Sequence, residues 1–242
     1  ARRFAQGLVT AGDVFIARAQ QTEDESEARA LIAEGDRLLR EAEAVAQTVA
    51  DGRTLRFPGD RSLGSLQVRP WDEPSWRPAG EARGSVDIDE AMAVAIDAQV
   101  EFNDDDLALL ATFPAGSVQY LMVGGTQVTL DGLAQLRDIG GLRKLSFAEG
   151  QYDDTLIAHL EPLAGIEHLN LMSVALTDAG LSRLAKLPAL RELVLDSPAE
   201  LTHRAYHQLA QMPQLEMLLL RGLDANDVAV DQITRLPQLR HL

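Results

Sequence analysis

Apolar residues in the second half of the chain recur with a period of about 24 residues. Each period begins with an apolar residue, two variable residues, Leu, one variable residue and, except in the last period, another apolar residue. The periods start at Val118, Leu142, Ile166, Leu190, Leu215 and Leu239. Because successive side chains of a strand point to opposite faces, the last two apolar positions predict the buried face of a short strand.

The strand pattern in each period is followed by a helical one. An apolar residue returns at the eleventh place, and three more follow at three-residue steps, as in Leu181, Leu184 and Leu187. Steps of three residues place side chains on one face of a short helix. A strand and a helix in about 24 residues form one unit of a repeat protein, which packs only against its neighbours.

The start of the helical pattern resembles that of bacterial leucine-rich repeat proteins. Their Leu-Thr-Asp-Ala-Gly-Leu motif is intact at 176–181 and altered to Val-Thr-Leu-Asp-Gly-Leu at 128–133. The resemblance covers 118–242 and implies an α/β, ribonuclease-inhibitor-like solenoid, with parallel strands on the concave face and helices on the convex face. We expect about five full repeats and a partial last one, preceded by a degenerate unit with Met92 and Ala95 at the strand positions and Asp97 at an apolar position.

One feature of many leucine-rich repeat families is missing. The Asn that those families stack along the turn after each strand is replaced at the five corresponding positions by Thr126, Gly150, Val174, Pro198 and Leu223. The curvature that this ladder helps to set is therefore not carried over.

The first half of the chain divides into two further segments. Residues 3–20 and 23–51 read as two helices, which gives a helical hairpin over 1–51, with Thr22 and Glu25 as a capping box and Gly52 as the end. The apolar stripe from Leu31 to Val49 packs on the first helix, on the repeats or on a second copy.

Residues 52–91 carry short alternating runs separated by Pro and Gly, which predict two or three strands in a small β segment or cap. We expect Trp71 and Trp76 in this segment to fill a small core, with an exposed recognition loop as the alternative. The repeat domain then covers 92–242.

The variable residues of each repeat strand point away from the core and define a candidate binding face. Lys144, His168 and Glu192 are expected to form a polar patch beside the apolar anchors Met217 and Leu219, unless the face is only solvated or is covered by the N-terminal segment. The candidate residues are Tyr120, Met122, Lys144, Ser146, His168, Asn170, Met172, Glu192, Val194, Asp196, Met217, Leu219, Arg221 and His241.

Candidate chemistry is sparse. The chain has no Cys, so thiolate metal sites and cysteine nucleophiles are excluded. His203 and His207 have helical metal-ligand spacing but no third ligand, and Asp104–Asp106 lacks the later Gly and Glu of an EF-hand, so we expect helix capping there. Serine-nucleophile and phosphate-loop motifs are also missing, so we expect no catalytic residue, metal or cofactor.

The net charge of the chain favours some classes of binding partner over others. With 22 Lys and Arg against 37 Asp and Glu, the net charge is −15, which disfavours nucleic acids and anionic membranes and favours a basic protein. No apolar run is long enough to cross a bilayer. A cytoplasmic location is expected, and a signal removed before Ala1 stays open as an alternative.

These patterns predict a non-enzymatic protein-binding module or scaffold that uses the concave face of its repeats; its oligomeric state is left open. A second hypothesis is a sensing or substrate-targeting region of a larger multidomain enzyme or effector, whose catalytic part lies outside this sequence. That hypothesis rests on a start without Met and on an end at Leu242, halfway through a repeat strand.

Overall fold

The computed structural model describes residues 2–22, 24–50, 52–89, 91–148, 152–172, 174–196, 201–221, 231 and 233–242. The helices are α1 Arg2–Ala19, α2 Glu25–Ala50, α3 Asp104–Ala111, α4 Thr155–Leu160, α5 Asp178–Leu184 and α6 Arg204–Leu209, with a 3₁₀ helix at Gly132–Asp138. The strands are β1 Arg53–Arg56, β2 Gly64–Pro70, β3 Arg77–Glu81, β4 Ser85–Ile88, β5 Met92–Ala98, β6 Tyr120–Met122, β7 Lys144–Ser146, β8 Tyr152–Asp153, β9 His168–Met172, β10 Val174–Ala175, β11 Glu192–Asp196 and β12 Met217–Arg221.

Eight of these strands form one mixed sheet in the order β12-β11-β9-β7-β6-β5-β2-β3. The six strands from β5 to β12 are parallel, while β2 runs antiparallel to β5 and β3 antiparallel to β2. Two short pairs lie outside it, β1 with β4 and β8 with β10. The expectation of an α/β fold is therefore confirmed, as a mixed sheet of mostly parallel strands with helices.

The central Leu of each repeat strand holds the sheet to its helices. Leu121, Leu145, Leu169, Leu193 and Leu218 are all buried, in one core with the apolar residues of the intervening helices. Helices α3 to α6 and the 3₁₀ helix pack side by side against this layer. Burying this row against the helices leaves the alternate side chains on the opposite side, which we call the open face of the sheet.

The first parallel strand has a register that differs by one residue from the expected one. Ile96 of β5 pairs with Leu121 of β6, so Ala93, Ile96 and Ala98 take the consensus positions instead of Met92, Ala95 and Asp97. All three are buried, whereas Asp97 is exposed on the other side of the strand. The expected register was wrong because a period of 26 residues was assumed here; a period of 25 keeps the carboxylate out of the core.

The hairpin of α1 and α2 lies against the turns that lead into β6, β7 and β9. Leu8, Leu38 and Val45 pack with Ala164 in a second buried cluster. Glu41 Oε1 accepts a hydrogen bond of 2.6 Å from the Gly141 amide, and burial raises the pKa of Glu41. Leu38 and Val45 of the stripe from Leu31 to Val49 thus pack against the rest of the chain. The side chain of Val49 lies outside the described residues.

The expected cap of α2 is corrected by the structure. Asp24, not Thr22, caps the helix, because its Oδ1 accepts hydrogen bonds from the amides of Ser26 and Glu27 at 2.8 and 3.0 Å. The helix ends at Ala50, before Gly52, which has a φ of 68°. A left-handed conformation of this kind favours glycine at a helix C-terminus.

Residues 52–89 form four strands. Of these, β2 and β3 extend the large sheet beyond β5, and only β1 and β4 form the small separate pair. The expected boundary between residues 91 and 92 therefore separates two strands of one sheet, since β2 before it is hydrogen-bonded to β5 after it.

Among the described residues, no helix has the length and apolar character needed to cross a membrane.

Candidate binding site on the open face of the sheet

The strand register aligns the candidate residues in columns across the open face. The first column runs Tyr120, Lys144, His168, Glu192 and Met217, and a β-bridge joins Met217 to His241. The second runs Met122, Ser146, Asn170, Val194 and Leu219, and the third holds Met172, Asp196 and Arg221. Strands about 4.8 Å apart bring the members of a column into side-chain contact.

Lys144, His168 and Glu192 form the expected polar patch. His168 Nδ1 donates a short hydrogen bond to Glu192 Oε2, and Lys144 Nζ lies 3.4 Å from the same oxygen. The hydrogen bond from His168 and the charge of Lys144 lower the pKa of Glu192 to about 2, although partial burial opposes them. Glu192 is therefore an anion held by its two neighbours.

A second charged column lies next to the first and was not among the predicted residues. It occupies the position just before each strand, where Arg143, Glu167, Arg191, Glu216 and Arg240 alternate in sign. Arg143 Nη2 binds both carboxylate oxygens of Glu167 at 2.6 and 2.5 Å, and Arg191 Nη1 lies 2.5 Å from Glu216 Oε1. Alternating charges every 24 or 25 residues were the sequence signal for these pairs.

The apolar part of the face lies toward β12. Met172, Met217 and Leu219 are half-buried, so part of each remains accessible. Ser146 and Val194, by contrast, are only 4% and 7% exposed and contribute almost no accessible surface. Their expected exposure was wrong because these short side chains are flanked by longer ones on the neighbouring strands.

Asp196 and Arg221 form a weak pair at the ends of β11 and β12, with Arg221 Nη1 3.6 Å from Asp196 Oδ2. His241 is exposed, and its column neighbour is Met217. These residues border the apolar part of the open face. The ion pair between Asp196 and Arg221 therefore lies close to solvent at the edge of this apolar surface.

Both tryptophans lie at the opposite end of the open face. The loop between β2 and β3 places Trp71, Pro74 and Trp76 over β5 and β6, where the Trp76 ring centroid is 6.1 Å from that of Tyr120. Trp71 also packs partly against the core between the hairpin and the repeats. Trp71 thus packs against a small core as expected, whereas Trp76 lies over Tyr120 because the loop folds back onto the large sheet.

The Trp loop and the sheet enclose a pocket of about 280 Å³, which we call the Trp pocket. Its lining residues are Arg69, Trp71, Pro74, Trp76, Ala93, Gln119, Tyr120, Arg143, Lys144, Glu167 and Glu192. A wider groove of about 540 Å³ continues from it, sharing Arg143, Glu167 and Glu192 and passing below Gly7 and Thr10 of α1. The N-terminal segment therefore borders the face and leaves a groove beside it.

Arg69 holds the Trp loop in place. Its Cζ lies 5.1 Å from the centroid of the Trp76 ring, and its Nη1 donates a 2.6 Å hydrogen bond to the Glu73 carbonyl. A guanidinium over an aromatic face is attracted by the ring quadrupole. Burial and the charge of Arg143 lower the pKa of Arg69, although Glu192 and Glu167 oppose them.

Other candidate groups have structural roles. Asn103 and Asp106 form a capping box at the start of α3, as expected for the acidic run, and Asp106 also pairs with Arg61. Among the described residues, no group of three or more His, Asp or Glu is placed to hold a metal ion.

Comparison with known proteins adds no further assignment. A scan of protein-family models and a search of curated proteins each found no match to this chain.

Proposed function

We propose that this chain is a leucine-rich repeat solenoid and a non-enzymatic binding module, and that the open face of its sheet is the concave face that receives a protein partner. The period of 24 or 25 residues supports the solenoid, since the parallel strands from β6 to β12 follow that period in register. The helices between the strands lie side by side in chain order.

One observation carries the proposed function: the accessible apolar side chains Met217 and Leu219 on β12, and Met172 two strands away on β9, lie beside charges that pair with each other. Apolar anchors bordered by polar residues are typical of protein interfaces. Rows of side chains across several strands suit an extended partner surface rather than a small substrate.

The paired charges also support a binding role over catalysis. Glu192 is held as an anion by His168 and Lys144, and the carboxylate of Glu167 is bound through both oxygens by Arg143. A general base or acid needs a pKa near the working pH, and a pKa of about 2 leaves Glu192 a poor proton acceptor. This pairing favours a structural use of the charges.

The net charge of −15 favours a partner with a basic surface, through long-range attraction rather than through contacts at the face. Ion pairs join Arg143 to Glu167, Arg191 to Glu216 and Arg221 to Asp196 on the face itself. The excess negative charge therefore acts from other surfaces of the molecule.

The test is a binding comparison with a matched control. Wild-type protein, the variant Met217→Asp/Leu219→Asp, and Ala179→Asp/Ser182→Asp on the exposed surface of α5 are used to retain proteins from a lysate of the source organism. We expect one partner to be retained by the wild type and the control, and lost with the open-face variant, because two carboxylates cannot enter an apolar contact.

All three proteins are first shown to unfold cooperatively at similar denaturant concentrations. Equal retention of the partner by the open-face variant would contradict the proposed function. Retention of no protein by any of them would contradict it as well.

A further inference from the structure

We infer that the Trp pocket is a subsite for a carboxylate, and that it takes an Asp or Glu side chain of the partner together with an adjacent apolar or aromatic group. This inference rests on the proposed function, since it assigns one contact of the same open face. It concerns the β5 to β7 end of the face, away from Met217 and Leu219.

The lining of the pocket has a net charge opposite in sign to that of the whole chain. Its lining includes three cations, Arg69, Arg143 and Lys144, and two carboxylates, Glu167 and Glu192, which leaves a local net charge of +1 in a chain of net charge −15. A cleft with an excess of one sign of charge attracts ligands of the opposite sign. An anion is therefore the ligand class that the local charge favours.

Arg69 supplies the uncompensated charge. Glu167 is bound by Arg143, and Glu192 is bound by Lys144 and His168, whereas no carboxylate in the described part of the chain lies within 4.0 Å of the Arg69 guanidinium. The Arg69 side chain is half-buried and lines the pocket, so part of it is reachable from there. A bound carboxylate would compensate its charge by a charge-assisted hydrogen bond.

Aromatic walls define the second part of the ligand. Trp71, Pro74, Trp76 and Tyr120 surround the space, and the phenol of Tyr120 is half-buried. Aromatic rings pack well against other rings and against apolar side chains. A volume of about 280 Å³ is below that of most drug-sized sites and fits one or two amino-acid side chains.

A cationic ligand fits the pocket less well. Aromatic rings can receive a cation, but Arg69 already lies over the face of Trp76 at 5.1 Å. Both lining carboxylates are also bound by cations of this chain. A Lys or Arg side chain of the partner would thus meet a like charge and would have to displace an existing ion pair.

The chain provides its own reporter for the test. Its two tryptophans both line the Trp pocket, so a change in tryptophan emission reports occupancy there. The probes are three capped tripeptides, acetyl-Phe-Glu-Phe-amide and the same peptide with Gln or Lys in the centre. We expect the Glu peptide to bind about tenfold more tightly than the Gln peptide, and the Lys peptide to bind most weakly.

Variants of Arg69 identify the group that is responsible. Arg69→Met should bring the affinities for the Glu and Gln peptides within twofold, whereas Arg69→Lys should keep the preference for Glu. Arg137→Met, on the exposed 3₁₀ helix, is the matched control and should behave as the wild type. Near-ultraviolet circular dichroism of the tryptophans shows whether the loop stays in place in each variant.

Three results would overturn the inference: equal affinity for the Glu and Gln peptides, tightest binding of the Lys peptide, or no emission change with any peptide at millimolar concentration. The Met217→Asp/Leu219→Asp variant should bind the Glu peptide normally. If it does, and still retains the partner, the proposed function fails while the carboxylate subsite stands; if the partner is lost but no peptide binds, the reverse holds.

Discussion

At the scale of single residues, an Asp of one repeat binds the Thr that begins the helix of the next. Asp104 accepts hydrogen bonds from the amide and hydroxyl of Thr129, at 2.8 and 2.7 Å. Asp154 does the same for Thr177 at 2.9 and 2.5 Å. Asp178 repeats the arrangement with Thr202 at 3.0 and 2.5 Å. These contacts explain the Thr-Asp pair of the repeated motif.

The glycine of the same motif makes room for this carboxylate. A Cβ atom at Gly180 would lie 2.1 Å from Oδ1 of Asp154, and one at Gly132 would lie 1.9 Å from Oδ1 of Asp104. Where Leu130 replaces the Asp, the corresponding position of the next repeat holds the buried Leu156, and opposite Asp178 it holds the buried Ala205. Asp and Gly therefore depend on each other in two of the three contacts, whereas the third accommodates Ala.

A double-mutant cycle tests this dependence. Asp154→Ala removes hydrogen bonds to Thr177 and to the Gly180 amide and should lower the free energy of unfolding by about 2 kcal/mol. Gly180→Ala should destabilise the wild type, but cost clearly less in the Asp154→Ala background, where the carboxylate is gone. Urea unfolding of the four proteins measures the coupling, and additive effects would show that the carboxylate does not require the glycine.

Glu192 gives the stability a defined pH dependence. Its pKa is about 2 in the folded protein against an ordinary 4.5, so its contribution is present above pH 4.5 and is lost as the pH falls toward 2. Since its side chain is 38% exposed, we expect Glu192→Gln to cost only about 1 kcal/mol at pH 6. Urea unfolding at pH 6, 4 and 3 should show this difference shrinking; a constant difference would contradict the ion-pair origin.

At the scale of elements, small residues decide where the helical hairpin lies. The position two residues before each repeat is Gly116, Gly140 and Ala164 in the three repeats that face the hairpin. In the next three repeats it is Pro188, Pro213 and Pro237. A Cβ atom added at 116 would lie 3.1 Å from Cγ1 of Val45 in α2, whereas one added at 140 would lie 2.7 Å from Cβ of Ala115 and 3.7 Å from Cγ of Glu41. Small side chains at these turns thus let the helices approach closely.

Enlarging one of these residues should displace the hairpin. Ala164 is 1% exposed beneath Leu8, so Ala164→Phe overpacks that contact and should destabilise the protein by about 1 to 3 kcal/mol. Pro188→Phe, at the equivalent turn outside the hairpin, is the matched control. Hydrogen exchange should become faster in α1 and α2 with Ala164→Phe alone; unchanged protection would show that the hairpin does not depend on this contact.

At the scale of the whole molecule, the charge of the open face differs from the net charge of the chain. The open face carries paired charges and a Trp pocket of local charge +1, while the chain as a whole is strongly acidic. Long-range attraction of the proposed partner and its local fit would therefore be set by different residues. This separation gives them different responses to salt.

Association with a basic partner should slow as salt is raised. We expect the association rate constant to fall several-fold between about 0.05 and 0.5 M NaCl, with a smaller change in the dissociation rate constant, because screening weakens long-range attraction first. Stopped-flow mixing with the partner, monitored by tryptophan emission, measures both. An association rate that rises with salt would contradict the proposed basic partner.

The repeat period by itself determined the strand and helix positions of the described residues between 118 and 242, and which side chains align across strands, because these units bury the same apolar positions. The columns through Lys144, His168 and Glu192 followed from that period. Ser146 and Val194 were misjudged because exposure depends on the size of neighbours on adjacent strands. The repeat period gives the position of a residue in its strand, but not how far the side chains on the neighbouring strands cover it.

Only the tertiary structure decided the placement of the N-terminal half. The sequence indicated helices near 3–20 and 23–51 and strands near the tryptophans, since these depend on local apolar patterns and on Gly and Pro. That the Trp loop folds over β5 and β6, and that the hairpin covers three turns, depends on contacts between residues 100 or more positions apart, such as Glu41 with Gly141 and Arg37 with Pro162, and on the fold of the loop itself. Local patterns determine elements, whereas the pocket exists only where distant elements meet.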